Sequence, residues 1–254
     1  MDWVNSLLVV GVGIIAGFIN TLAGSGSIFA LWVLIFIGLP ANVANGTNRI
    51  AILLQSIVAV NAFKKHKQLD VKQAWWLSIP AILGSIVGAS LALKLDEKMM
   101  RQAIGVLLII MFFLILYKPE QWIKGKSEET KEKPTVLQFI IFFAIGVYGG
   151  FIQVGVGFFL LAGLVLGVGL DLVKANAAKV FITLFFTIFA LAVFMYNNQV
   201  NYKIGFVLAV GNIIGTLIAT KFAFSWGPKF VRYFLLVIIV FASLELFGIF
   251  DFLK

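Results

Sequence analysis

Apolar residues fall into runs of similar length separated by short polar stretches, at about 4–23, 40–62, 73–95, 99–117, 135–154, 171–196, 202–223 and 229–249. A helix needs ~20 residues to cross the hydrocarbon core of a bilayer, so each run predicts a membrane-spanning helix. Two further apolar runs, 27–38 and 158–169, are too short to span comfortably. Each follows a glycine break, Gly24-Ser25-Gly26 in one case and Gly155-Val156-Gly157 in the other. Pro40 then punctuates the first short run, and the next helix carries Asn45, Asn48 and Arg49 into otherwise hydrophobic sequence.

The pattern repeats. An offset of 131 residues, the separation of Gly24 from Gly155, also places Gly38 on Gly169, Asn45 on Asn176, Gln68 on Gln199, Lys72 on Lys203, Gly84 on Gly215 and Arg101 on Arg232. Upstream, with a two-residue shift, Gly17-Phe18-Ile19-Asn20 matches Gly150-Phe151-Ile152-Gln153. Unrelated apolar sequences share Leu and Val freely, but not Asn and Arg at one fixed offset. The chain therefore divides into a first repeat (1–117), a polar linker rich in mixed charge (118–134) and a second repeat (135–254).

Each repeat holds a broken or re-entrant helix pair followed by three helices, about five helical segments in all. Whether the broken pair crosses twice or not at all, each repeat crosses an odd number of times, and the two are expected to be inverted; a pair that formed a single span would instead make them parallel and shrink the charge bias. Charge agrees with this parity. One face would carry Lys64, Lys65, Lys67, Lys118, Lys124, Lys126, Lys131, Lys133, Lys221, Lys229 and Arg232, and the other only Lys94, Lys98, Arg101, Lys203 and Lys254. The positive-inside rule makes the richer face cytoplasmic and puts both termini outside. The first apolar run has no Lys or Arg before it, unlike a signal peptide, and is expected to be retained.

Composition fits an all-α polytopic membrane protein. The 254 residues are 61% hydrophobic and only 12% charged, against about a quarter charged in a soluble domain. The net charge of +9 is accounted for by loops on one side of the membrane, so no nucleic-acid partner is expected. With no cysteine, disulfides, thiolate metal sites and cysteine nucleophiles are excluded. No cofactor is expected. His66 lies in the solvated loop KKHKQLD, and Ser25, Ser27 and Thr47 have no buried base beside them. An enzyme is accordingly not expected.

What the spans do contain is amide and basic. Non-helical backbone is tolerated at membrane depth only where protein or a water-filled cavity satisfies it, and broken helices at corresponding places in two repeats point to a transporter site. Arg49 and Lys179 lie about 8 residues into their helices, hence roughly 10 to 12 Å deep at 1.5 Å per residue. Snorkelling is the competing account at that depth. Against it, Asn45, Asn48, Arg49, Ile52 and Gln55 share one helical face, and Asn176, Lys179 and Thr183 share another. The spans carry acids only near their ends, at Asp171 and Glu245, and a cation carrier generally needs one deeper. A site of amides, fixed cations and backbone N–H groups suits an anion. Asn45, Asn48, Arg49, Gln153, Asn176 and Lys179 are expected to coordinate it, with Asn20, Ser25 and Ser27 lining the break.

The stretches AGFINTLAGSGS with ANVANGTNR, and GGFIQVGVGF with VKANAAK, resemble the TauE/SafE sulfite exporter family, whose repeats each pair a glycine cluster with an Ala-rich polar helix start. The glycine triplet is reduced here to Gly24-Ser25-Gly26, and Val156 stands in the middle of the second copy. The resemblance implies a secondary transporter of a small sulfur-containing oxyanion, sulfite or an organosulfonate, exported across the plasma membrane by alternating access. An anion channel, or an exporter of larger organic solutes of the drug/metabolite type, remains open on the residues alone. The partners expected are the small anion and membrane lipid, and pairing of two copies into a homodimer is left open.

Overall fold

The computed structural model describes residues 3–94 and 135–223. The runs at 99–117 and 229–249, the linker 118–134 and Glu245 lie outside the described residues. Those described form α1 (Trp3–Leu22), α2 (Ser27–Phe36), α3 (Ala41–Lys65) and α4 (Val71–Ala92) in the first part of the chain. In the second they form α5 (Val136–Phe151), α6 (Val156–Ala162, continued by a π-helical turn over Gly163–Val168), α7 (Leu172–Tyr196) and α8 (Tyr202–Ala223). Five of these, α1, α3, α4, α7 and α8, are long and apolar enough to cross a membrane. Outward-facing positions such as Leu7, Leu83, Leu91, Ile140, Phe206 and Leu217 are exposed. A soluble domain does not present apolar side chains on this scale, whereas lipid is a suitable solvent for them.

The helix boundaries have local causes. Pro40 precedes α3, where its fixed φ suits a helix start and its missing N–H costs nothing. Asp70 caps α4 by accepting from the Gln73 backbone N–H at 3.0 Å, and Asp171 caps α7 by accepting from Val173 and Lys174. Thr135 and Gln138 close a reciprocal capping box at the start of α5.

Every helix bound of α3 and α4 reappears 131 residues later in α7 and α8. The residues with positive φ obey the same offset: Gly24 (φ 78°) with Gly155 (69°), Gly38 (96°) with Gly169 (93°), and Lys67 (55°) with Asn198 (57°). Glycine suits the first two pairs because a Cβ disfavours this left-handed region.

Small residues set the packing. Gly84 and Gly88 of α4 lie against the backbone of α5 at Phe143 and Val147, while Gly146 and Gly150 of α5 lie against Ala81 and Ser85. The same contact recurs between α1 and α8, where Gly13 and Gly17 meet Leu208 and Asn212, and Gly211 and Gly215 meet Val10 and Ile14. Each half's fourth helix thus embraces the other half's first helix through small-residue seams that allow backbones to touch. Helices α3 and α7 run antiparallel between these pairs. Ala59 and Phe63 near the end of α3 pack with Ala177 and Val180 near the start of α7, and Arg49 near the start of α3 lies over Phe194 near the end of α7.

Candidate functional site

The two glycine breaks cross at the centre of this arrangement. Gly24 and Gly157 meet backbone to backbone, so closely that a Cβ on either would overlap the other chain segment. The first break leaves the Thr21 carbonyl at the end of α1 without a helical partner, although Asn20 O still accepts from the Gly24 N–H at 3.0 Å, and the second does the same to Gly149 and Gly150 at the end of α5. Such carbonyls carry the negative end of a helix dipole.

Arg49 and Lys179 cap them, each from the other half of the chain. Arg49 donates from Nη1 to Gly149 O (3.1 Å) and from Nη2 to Gly150 O (2.6 Å), both in the last turn of α5. Its guanidinium lies 4.6 Å from the centre of the Phe194 ring, and Nη1 also donates to Gln153 Oε1 at 3.0 Å. Lys179 donates from Nζ to Asn20 O (2.9 Å) and Thr21 O (2.8 Å) in the last turn of α1, and to Asn176 Oδ1 at 2.8 Å. Arg49 is 0% exposed and Lys179 2%, which discounts snorkelling for both. Their charges are balanced by carbonyl dipoles, and acidic side chains play no part in these contacts.

Beside Lys179 lies a small cavity, about 20 Å³ as a water-sized sphere fills it and so room for about one water in this conformer, lined by residues of both halves. Asn20 and Ser27 come from the first break, Ile52, Gln55 and Ser56 from α3, Gln153 from the second break, and Lys179 and Thr183 from α7. Gly24, Val156, Gly157 and Val180 complete it.

Three amides in this wall have their oxygens engaged elsewhere. Gln153 Oε1 accepts from Arg49, which can only donate. Asn20 Oδ1 accepts from the backbone N–H of Ser27 at 3.0 Å, at the start of α2. Gln55 Oε1 accepts from Asn212 Nδ2 at 3.0 Å. Gln153 and Gln55 retain their NH₂ groups, and Asn20, whose Nδ2 donates to Ser27 Oγ at 3.4 Å, retains one amide proton. With the hydroxyls of Ser27, Ser56 and Thr183 and the nearby ammonium, the wall is weighted towards donors.

Of the nine residues to which the sequence points, the structure brings Asn20, Ser27, Gln153 and Lys179 to the cavity. Arg49 stands one hydrogen bond behind it through Gln153, and Asn176 stands behind Lys179. Asn45 donates to Phe151 O at 2.9 Å. Asn45, Asn48 and Ser25 are buried but lie apart from the cavity wall. Gln55, Ser56 and Thr183 line the cavity in addition. Gln55 and Thr183 continue the two polar helix faces by one more turn, a pattern visible in the sequence, whereas nothing in the sequence marks Ser56.

The family model described as sulfite exporter TauE/SafE matches residues 9–246. The chain belongs to this family. Among curated relatives it is 26% identical over 223 residues to a probable membrane transporter protein of Haemophilus influenzae, covering 87% of this chain and 86% of the relative. It is 27% identical over 258 residues to the probable membrane transporter protein YfcA of Escherichia coli K12, covering 97% and 94%. A probable membrane transporter protein from Sinorhizobium, ORF9, is 24% identical over 232 residues, with 91% and 88% covered. No solved structure matches the chain. As a TauE/SafE member with five candidate spans among the described residues, the protein is a multi-pass membrane protein of a transporter family.

Proposed function

We propose that the protein is a secondary transporter of a small sulfur-containing oxyanion, sulfite or an organosulfonate, which it moves outward across the plasma membrane. The observation that carries the anion is the set of pinned amides. Because Arg49 and the Ser27 N–H hold the oxygens of Gln153 and Asn20, these side chains offer the cavity donors, and donors recognise oxyanions. Lys179 adds a fixed positive charge in a low-dielectric setting, where attraction is felt over a longer range than in water. The sulfur chemistry of the solute rests on family likeness alone.

Two inverted repeats, 1–117 and 135–254 joined by the linker 118–134, working by alternating access, are the mechanism this reading adopts. The offset shared by helix bounds and positive-φ residues, together with the antiparallel α3 and α7, supports it. The breaks cross at Gly24 and Gly157, so a rocking of one half against the other would pivot beside the cavity.

Purified protein in liposomes loaded with unlabelled sulfite tests the reading. A carrier takes up radiolabelled sulfite against its overall gradient by exchange, with saturation at rising concentration. Flux that rises linearly with concentration and ignores internal sulfite would identify a channel instead, and flux equal to that of empty liposomes would refute sulfite as the solute.

A further inference from the structure

Six polar side chains buried in this conformer carry atoms without hydrogen-bond partners among the described residues: Asn45, Asn48, Arg49, Asn176, Thr187 and Asn212. Asn48 is 0% exposed and uses neither Nδ2 nor Oδ1, Arg49 leaves Nε unused, and Thr187, also 0% exposed, leaves Oγ1 unused. An unpartnered amide away from water costs about 1–3 kcal/mol for each group left unmade, so this arrangement calls for an occupant in some state of the protein.

The internal offset says where that occupant would sit. Displacing Asn48, Arg49 and Thr187 by 131 residues gives Lys179, Val180 and Ser56, the first two forward and the last backward. All three of those line the cavity. Ser25, Gly26 and Gly155, the break residues outside the wall, correspond in the same way to Val156, Gly157 and Gly24, which are in it. The cavity therefore occupies one of two equivalent places, and Asn48, Arg49 and Thr187 belong to the other, while Asn212 corresponds to Ala81, outside the wall. Asn45 and Asn176, whose Oδ1 and Nδ2 respectively are unpartnered, are one such equivalent pair, a helical turn away.

We infer that Asn48, Arg49 and Thr187 form a second binding station for the same small oxyanion, closed in this conformer and opened when the two halves exchange conformations. The inference rests on the alternating-access reading above. In the exchanged state the space now beside Lys179, Val180 and Ser56 closes, and its counterpart opens beside Asn48, Arg49 and Thr187. There Asn48 Nδ2, Arg49 Nε and the Thr187 hydroxyl supply donors to the oxyanion, as Lys179, the amides and Ser56 do on the present side. The two stations differ in one respect with a functional consequence. A lysine ammonium occupies the place in one that an uncharged amide occupies in the other, while the cation of the second station is displaced by one residue to Arg49. The anion is thus held by unequal charge arrangements on the two sides, and the carrier should bind it with different affinity from each face.

The native chain contains no cysteine, so single-cysteine variants report sidedness directly. Ser56→Cys, Thr187→Cys and Asn48→Cys are reconstituted in liposomes and exposed to a membrane-impermeant cationic thiosulfonate from one face or the other. Ser56→Cys should react from one face, and Thr187→Cys and Asn48→Cys from the opposite face. The latter two should react more slowly by about 10- to 1,000-fold, since minor conformers are commonly populated at about 0.1–10%. Sulfite should protect all three. Reaction of Thr187→Cys from the face that labels Ser56→Cys, or from neither face, overturns the proposal, and Asn48→Cys decides the question in the same way should Thr187→Cys fail to fold. Correct sidedness without sulfite protection or sulfite exchange would overturn the solute and leave the two stations standing.

Discussion

Lys179 of one half donates its ammonium proton to the Asn20 carbonyl of the other at 2.9 Å, while the Asn20 side chain and Lys179 itself face the same cavity. Its remaining two protons go to Thr21 O and Asn176 Oδ1, so all three donors of the ammonium are in use. An anion in the cavity is attracted by this charge and can accept a hydrogen bond from it only by displacing one of these three acceptors, two of which are carbonyls at the end of α1. Binding and the anchoring of the first break are thereby linked.

Replacing Lys179 by Met should accordingly damage both. Thr21 O and the Asn176 amide oxygen lose their donor, at about 1–3 kcal/mol for each group left buried and unpaired, while Asn20 O keeps the Gly24 N–H. The melting temperature in detergent should fall, and sulfite should no longer raise it. An unchanged melting temperature would show that the α1 carbonyls do not depend on Lys179.

In this conformer Arg49 braces the end of α5 and stands behind the cavity wall. Arg49→Lys cannot hold Gly149 O, Gly150 O and Gln153 Oε1 in one plane over Phe194, because an ammonium lacks the planar fork. The variant should lose stability by about 1–3 kcal/mol for each carbonyl or amide oxygen left buried without its donor. Chemical or thermal unfolding in detergent measures this. A lysine variant as stable as the parent would contradict the bracing role.

The amide orientations can be reversed one at a time. Asn20→Asp or Gln153→Glu leaves the size of the side chain nearly unchanged but removes its donor NH₂ and adds negative charge. A hydrogen bond to a charged group contributes about 1.5–3 kcal/mol, which at 1.4 kcal/mol per decade predicts sulfite affinity weakened by about 10- to 100-fold or more. Titration of sulfite against either variant and the parent checks it, and equal affinities would remove the amides from the site.

The glycine crossing gives a packing prediction with an internal control. Gly157→Ala would drive a methyl group into the Gly24 backbone, and overpacking of this kind typically costs about 1–3 kcal/mol. Gly11, in the middle of α1, has nothing among the described residues within 4 Å of the position a Cβ would take, so Gly11→Ala should be neutral or slightly stabilising. Melting temperatures of the two variants should separate in that order.

How far these features can be read from the sequence depends on which atoms carry them. The bounds of α3, α4, α7 and α8 are legible because hydrophobic run length, Pro40, Asp70 and Asp171 act locally. Asn20, Ser27, Gln153 and Lys179 are legible as polar groups at the breaks or on the polar face of α7. The balance of charge is not. Arg49 and Lys179 look unneutralised when side chains alone are counted, whereas their partners are main-chain carbonyls that only the three-dimensional break exposes. The same gap explains why the sequence pattern points Arg49 directly at the solute, which it does not line in this state. Its reach towards Gly149 and Gly150 depends on where α5 ends relative to α3, and no local pattern encodes that.

The most direct test of the central claim, a donor-lined cavity that selects a small oxyanion, is ligand-dependent thermal stability of the purified protein. Sulfite, sulfate, sulfoacetate and thiosulfate are compared with chloride, and each is repeated on Asn20→Asp. At a ligand concentration of 100 Kd a native-state ligand adds about 2.7 kcal/mol, which at about 2–4 °C per kcal/mol for a chain of this size raises the melting temperature by roughly 5–10 °C. The account predicts such a rise with at least one sulfur oxyanion in the parent and its loss in Asn20→Asp. Equal rises in parent and variant, or no rise with any of the four sulfur oxyanions, would contradict it.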